Sequence, residues 1–275
     1  MTVDTMVQGV HWDSRLAPAD VGFKAVAASV SDLAACGARP RWMLLSLSLP
    51  RRPEPDAWVA KLRVGLSEAC AAFGVHLVGG DVTAVPHGAP RVVSTTLEGR
   101  CVAAPLTRSG ARAGDLLWVT GTCGLAGAGW MDPAPAPAAL DALRRPVPPL
   151  PFALALAASG HATAAMDLSD GLATDLPRLA RASGVAIEVD PARLPAHPTI
   201  AGHPQRRRYQ LAGGEDYQLL FTAPSAKRAA IEELAASLDT QVTAVGSVRE
   251  GSGATATDGA WPRPFAHFAP PKVAP

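Results

Sequence analysis

Several familiar signals are missing from this sequence, and each absence narrows its function. The four cysteines, Cys36, Cys70, Cys101 and Cys123, lie far apart and form no CxxC pair. That excludes a disulfide-stapled scaffold and a cysteine zinc site, and they read as reduced, buried, small apolar residues of a cytoplasmic protein. No apolar run approaches the roughly 18 residues a membrane span needs. The start carries Asp4 and no basic-then-apolar pattern, so no secretory signal is expected. Neither sign of charge is in excess: 25 basic and 24 acidic residues leave a net +1, which argues against a nucleic-acid binder. There is no GxxxxGK[ST], no GxGxxG after a strand, no GxSxG and no HExxH, so phosphate loops, dinucleotide folds, serine elbows and zincins are set aside.

What is present is apolar surface. Hydrophobic residues make up 48% of 275 positions, enough for one large domain or two medium ones. Periodicity predicts helices over 18–36, 54–73, 171–182 and 225–238. Strands are expected over 41–49, 91–102, 116–120, 163–167, 185–189, 217–222 and 242–245, with a short buried strand at 75–78. The proline-rich 132–151 reads as a loop. The alternation implies an α/β (α+β) fold. "SGARAGD" after Arg108 is the candidate boundary between domains 1–106 and 107–275.

The acids fall in unfavourable places. Asp4 sits in a β-like run. Asp32 lies near a helix C-terminus, where a negative charge opposes the helix dipole. Asp81 follows two glycines. Asp167 and Asp170 frame "MDLSDGL", and Glu215 and Asp216 follow Gly213-Gly214. Singly, each has a plain reading: Ser169 or Asp170 as a helix cap, Gly-Gly-Glu-Asp as a turn, Asp32 as half of an ion pair. Jointly, carboxylates in apolar company need a cation, and hard divalent ions take oxygen ligands. Ser169 and the Gly171 backbone at a helix start suit a phosphate.

The motifs "VDTMVQGVHW" (3–12), "KAVAASVSDLAACGARP" (24–40), "LVGGDVT" (77–83), "TRSGARAGD" (107–115), "MDLSDGL" (166–172) and "LAGGEDYQLLF" (211–221) occur in one order. Together with the closing "FAHF" (265–268), they give a chain that resembles the thiamine-monophosphate kinases. Those kinases belong to a superfamily that includes aminoimidazole ribonucleotide synthetase. The resemblance runs from residue 2 to about 268.

It implies ATP-dependent phosphorylation of thiamine monophosphate to thiamine diphosphate, assisted by several Mg²⁺ ions. It implies two α/β domains, with the N-terminal domains of a homodimer pairing into a barrel. Thr2, Val3, Asp4, Asp32, Asp81, Asp167 and Asp170 would hold metal. Gly80, Asp81, Arg108 and Ser169 would contact ATP. His11, Glu215 and Phe265 would face thiamine monophosphate, with Glu215 meeting either its cationic or its amino part. A phosphate oxygen is the nucleophile, so charge neutralisation and positioning suffice and no catalytic base is required.

The resemblance also implies a preceding segment with a Gly-Asp-Asp-Ala metal motif. Two readings follow, an internal start or a shortened relative, and the intact later motifs favour the first. Gln218 departs from the Glu common in the family. The alternatives are another ATP-using enzyme of the superfamily or an inactive nucleotide-binding relative.

Overall fold

The computed structural model describes residues 1–51, 55–259 and 261–262. Two sheets carry the fold, as the α/β reading expected. The first is built from β1 (Thr2–Val7), β2 (Ala38–Pro50), β3 (His76–Val85) and β4 (Val92–Cys101), in the order β1-β4-β2-β3. β2 runs parallel to β3 and antiparallel to β4. One face is covered by α1 (Pro18–Ala35) and α2 (Pro55–Phe73).

The second sheet follows a stretch, 102–114, without helix or strand. It begins with β5 (Asp115–Thr120), then α3 (Leu125–Met131), α4 (Pro137–Arg144), α5 (Leu150–Ser159), β6 (Ala164–Leu168) and α6 (Leu172–Ser183). It continues with β7 (Ala186–Val189), α7 (Pro198–Ala201), α8 (Arg206–Ala212), β8 (Gln218–Pro224), α9 (Arg228–Ser237), β9 (Val242–Arg249) and β10 (Gly253–Ala256). Its order is β10-β7-β9-β5-β8-β6. Apolar clusters lie on both faces, one with Leu172, Leu176 and Leu179 of α6, the other with Phe152 of α5 and Ile231 of α9.

α1 joins the two halves. Pro18 opens it, where a missing N–H costs nothing. It packs so closely on α2 that a Cβ at Gly65 would lie 1.7 Å from the Ala19 carbonyl oxygen. Its last turn, Ala34 and Ala35, enters the apolar cluster of the second sheet beside Phe152 and Phe221. The end of α1 therefore meets β6, and this docking builds the site.

Three expectations need correcting. The strand expected at 75–78 runs to Val85 and is exposed along nearly all its length, because β3 is an edge strand. The segment 132–151 holds a helix, α4, and the start of α5. Its prolines include Pro137 and Pro151, which stand in first helical turns rather than in a loop. Of the cysteines only Cys123 is buried; Cys36 and Cys101 are exposed. The helices α3, α5, α7 and α8 and strand β10 went unpredicted.

Candidate active site

Asp4 lies mid-strand in β1, not at an element end, and faces α1. Its Oδ2 accepts a hydrogen bond from the Ser29 hydroxyl at 2.7 Å, and Ser29 in turn meets the Thr95 hydroxyl at 2.8 Å. Asp32, in the last turn of α1, accepts from the Thr2 hydroxyl. Asp167, next to the last residue of β6, is buried, and the Ser31 hydroxyl beside it favours its charged form. Three elements thus bring Asp4, Asp32 and Asp167 together, with hydroxyls as partners and no ion pair to any of the three among the described residues.

The electrostatic consequence is direct. Burial, then the charges of Asp32 and Asp175, push the Asp167 carboxyl up to about 8. Burial, then Asp32 and Glu215 against the help of Ser29, push Asp4 up to about 6. Among the described residues, no group of three or more His, Cys, Asp or Glu side chains closes into a ready metal cage. The donor set nonetheless fits a hard divalent cation: carboxylate and hydroxyl oxygens, mutual repulsion, and no resident positive charge.

The motif of residues 166–172 divides its labour. Gly171 is the N-cap of α6 and no side chain caps it there; instead Asp175 accepts the Asp170 backbone N–H at 2.9 Å. Neither Ser169 nor Asp170 is the cap. Asp170 is paired with Arg178 at 2.6 Å, so the cation it needs is already present. Asp216 proves structural. Its carboxylate accepts the N–H groups of Gly124 and Ala126 at 2.6 and 3.1 Å and anchors the start of α3.

Two cavities open on this junction. The larger, about 670 Å³, is lined by Asp4, His11, Ser169, Asp170 and Glu215, with Trp130 of α3 among its apolar walls. The smaller, about 400 Å³, is lined by Thr2, Cys36, Cys101 and Arg108. Asp32 and Asp167 line both. Ser169, expected with ATP, is on the larger side; Arg108 is exposed on the smaller.

Other expected residues are not brought together with these. In the register of the first sheet, Thr5, Ser94, Ser46 and Asp81 form one row, whose side chains share the face that bears no helix. Asp81 and its neighbour Gly80 are exposed on β3. Three strand spacings, about 14 Å, and the thickness of the sheet separate Asp81 from Asp4 within one chain. The Val3 side chain also points to that open face, so only its backbone borders the acids. Phe265 lies outside the described residues.

Lys24, Tyr217 and Trp130 were missed. A stripe at i, i+4 and i+8 in α1, Lys24, Ala28 and Asp32, was the available signal for Lys24.

Residues 1–101 match the AIR synthase related protein N-terminal domain, and residues 112–259 its C-terminal domain. Thiamine-monophosphate kinase of Escherichia coli K12 is 36% identical over 259 residues, covering 90% of this chain and 78% of that protein. This chain belongs to the thiamine-monophosphate kinase family. The crystal structure of thiamine-monophosphate kinase from Stenotrophomonas maltophilia superposes with a TM-score of 0.83 at 35% identity, over 95% of this chain and 85% of that one. The structure of AaThiL complexed with AMPPCP and TMP does so at 0.84 and 34% identity, over 97% and 86%. Membership makes the chain a kinase of the two-sheet AIR synthase related fold.

Proposed function

We propose that this chain transfers the terminal phosphoryl group of ATP to the phosphate of thiamine monophosphate, yielding thiamine diphosphate. The observation that carries the reading is the pair Asp32 and Asp167, common to two cavities that otherwise differ. A donor phosphate entering from one side and an acceptor phosphate from the other meet at those carboxylates. The smaller cavity takes ATP, where the guanidinium of Arg108 suits phosphate oxygens. The larger takes thiamine monophosphate, with His11 and Glu215 polar and Trp130 apolar. Asp4, Asp32 and Asp167 are the residues that would hold Mg²⁺, with Thr2 and Ser29 fixing two of the carboxylates. Bound there, Mg²⁺ supplies the positive charge that lets two anions approach. Asp170, held by Arg178, borders the same space. The acceptor oxygen is ionised near neutral pH, so the chain's task is to align it.

The reading extends to a homodimer. The uncovered face of the first sheet exposes Val3, Trp42 and Leu44, and edge strand β3 exposes Leu77, Val78 and Val82, each between 46 and 65% accessible. A face and a long edge that no element covers among the described residues call for a partner, and a second copy offers the same surface in return. Asp81 and Gly80 lie on that surface, so their contribution to metal and ATP is made across the pair. Domains 1–106 and 107–275 divide within 102–114. The compartment is the cytoplasm, in keeping with four free thiols; no helix among the described residues is long and apolar enough to cross a membrane. The test is incubation with ATP, Mg²⁺ and thiamine monophosphate: thiamine diphosphate is expected by chromatography, and ATP consumption without it would overturn the reading.

A further inference from the structure

Lys24 is wholly buried in α1, and the proposed reaction gives it no task. Its Nζ lies 2.9 Å from Glu215 Oε2 and donates to the His11 carbonyl oxygen at 3.3 Å. The Tyr217 hydroxyl donates to the same Oε2 at 2.8 Å. Burial and the Glu215 charge raise the Tyr217 phenol well above its ordinary value, so it remains a donor. Glu215 and Tyr217 both carry positive φ, 73° and 49°, a conformation that non-glycine residues seldom adopt. The strain is held by backbone bonds from Glu215 N to Ser169 O and from Tyr217 N to Leu168 O, both 2.8 Å. Gly214 permits that approach, since a Cβ there would lie 2.3 Å from Ser169 O. A strained loop, a buried lysine and a tyrosine thus converge on one oxygen of one carboxylate.

The other oxygen, Oε1, has no partner among the described residues, and Glu215 lines the larger cavity. Its negative charge is already matched by Lys24. Lys24 sits on the Oε2 side and offsets much, though not all, of the pull Glu215 would exert on a second, mobile cation. With its charge so offset and Oε1 facing the cavity, the carboxylate is well suited to accept a hydrogen bond from a neutral N–H.

We propose that Lys24 and Tyr217 are positioning residues that hold Glu215 as an acceptor for the neutral exocyclic amino group of the substrate's pyrimidine ring, leaving its thiazolium cation elsewhere in the cavity. This rests on the reading of thiamine monophosphate as substrate. The device selects an amino group over an oxo group at that ring position, because an acceptor facing a carbonyl leaves both unpaired.

The experiment uses the full chain and two substrates, thiamine monophosphate and its 4-oxo pyrimidine analogue, with saturating ATP and Mg²⁺. The wild type should prefer the amino compound by about 100-fold or more in kcat/KM. Glu215→Gln, which can donate as well as accept, should bring the two within about tenfold of each other. Lys24→Met should raise KM for thiamine monophosphate about tenfold or more, with kcat and KM for ATP within about threefold. Lys24→Met/Glu215→Gln removes both charges, and should fold as the wild type does and show the same collapsed preference. Equal use of both substrates by the wild type would overturn the proposal. So would a Lys24→Met loss spread equally over kcat and both KM values, or a preference that survives in the folded double variant. Failure of the wild type to phosphorylate thiamine monophosphate at all would instead remove the functional reading beneath it.

Discussion

The junction of α1 with β6 and the loop 213–217 are both crowded with acids, yet they are built in opposite ways. In the loop every carboxylate has an electropositive partner: Glu215 has Lys24 and Asp216 has the first N–H groups of α3. At the neighbouring helix start, Asp170 has Arg178. At the junction, Asp4, Asp32 and Asp167 have hydroxyls only. Partnered acids shape the site and find their hydrogen-bond donors within the folded chain, although burial raises Asp216 as well. Of the acids without a cation, Asp4 and Asp167 are raised by burial first and by neighbouring carboxylates after it, and they remain a demand that an incoming ion can meet. The contrast separates structural from functional carboxylates more sharply than their sequence motifs do.

The largest effect should come from exchanging members of the two groups. Asp167→Asn removes a carboxylate that both cavities share and should lower kcat/KM by about a thousandfold, at unchanged secondary structure. Asp170→Asn loses a charge already compensated by Arg178 and should cost about tenfold. Steady-state kinetics on both variants decide it, and equal losses would erase the distinction drawn here.

Next comes the open sheet face. Leu44→Asp places a charge in the surface assigned to the second copy. It should halve the mass in sedimentation and, by separating Asp81 from the opposite site, reduce turnover by about a hundredfold or more. A fully active monomer would refute the shared site.

Stability should respond more modestly. Asp216→Ala frees two backbone donors at the start of α3 and should cost about 1–2 kcal/mol in denaturant unfolding. The pH profile follows from Asp4, Asp167, Asp175 and Asp216, whose carboxyls are raised from 3.8 to about 6, 8, 7 and 7. Between 3.8 and about 8 the native chain therefore binds more protons than the unfolded one. Without divalent ions its stability should be greatest near the acid end of that window and fall as pH rises through it. Saturating Mg²⁺ should flatten the Asp4 and Asp167 parts of that fall and leave the Asp175 and Asp216 parts. Calorimetry across the window would show it, and a melting temperature that rises toward pH 8 without metal would count against the assignment.

Much of this was legible in the sequence, and what was not has physical causes. Asp32 and Asp167 stood out because they interrupt apolar segments, one against a helix dipole and one at the end of a buried strand. Asp170 stood out equally, but Arg178 stands eight residues on, beyond a proline within α6, and only the folded helix brings it back. Asp81 was read beside Asp4, Asp32 and Asp167 because a motif carries no face. The β2–β3 register shifts between Met43 and Leu44, and in a sheet one residue of slip decides which side a side chain takes. Lys24 was hidden because a lysine in an alanine-rich helix ordinarily reaches solvent, and here the second domain closes over it. The prolines of 132–151 suggested a loop because composition does not distinguish a proline that breaks a helix from one that begins it.

Asp4, Asp32 and Asp167 would hold an ion within reach of two phosphates, one from each cavity. The direct measurement is phosphorus NMR of the full chain with thiamine monophosphate and a non-hydrolysable ATP analogue, titrated with Mn²⁺. The signals of both ligands should broaden together at the same low Mn²⁺ concentration in the wild type, and Asp167→Asn should remove the effect from both. Broadening confined to the nucleotide, and unchanged by that substitution, would contradict it.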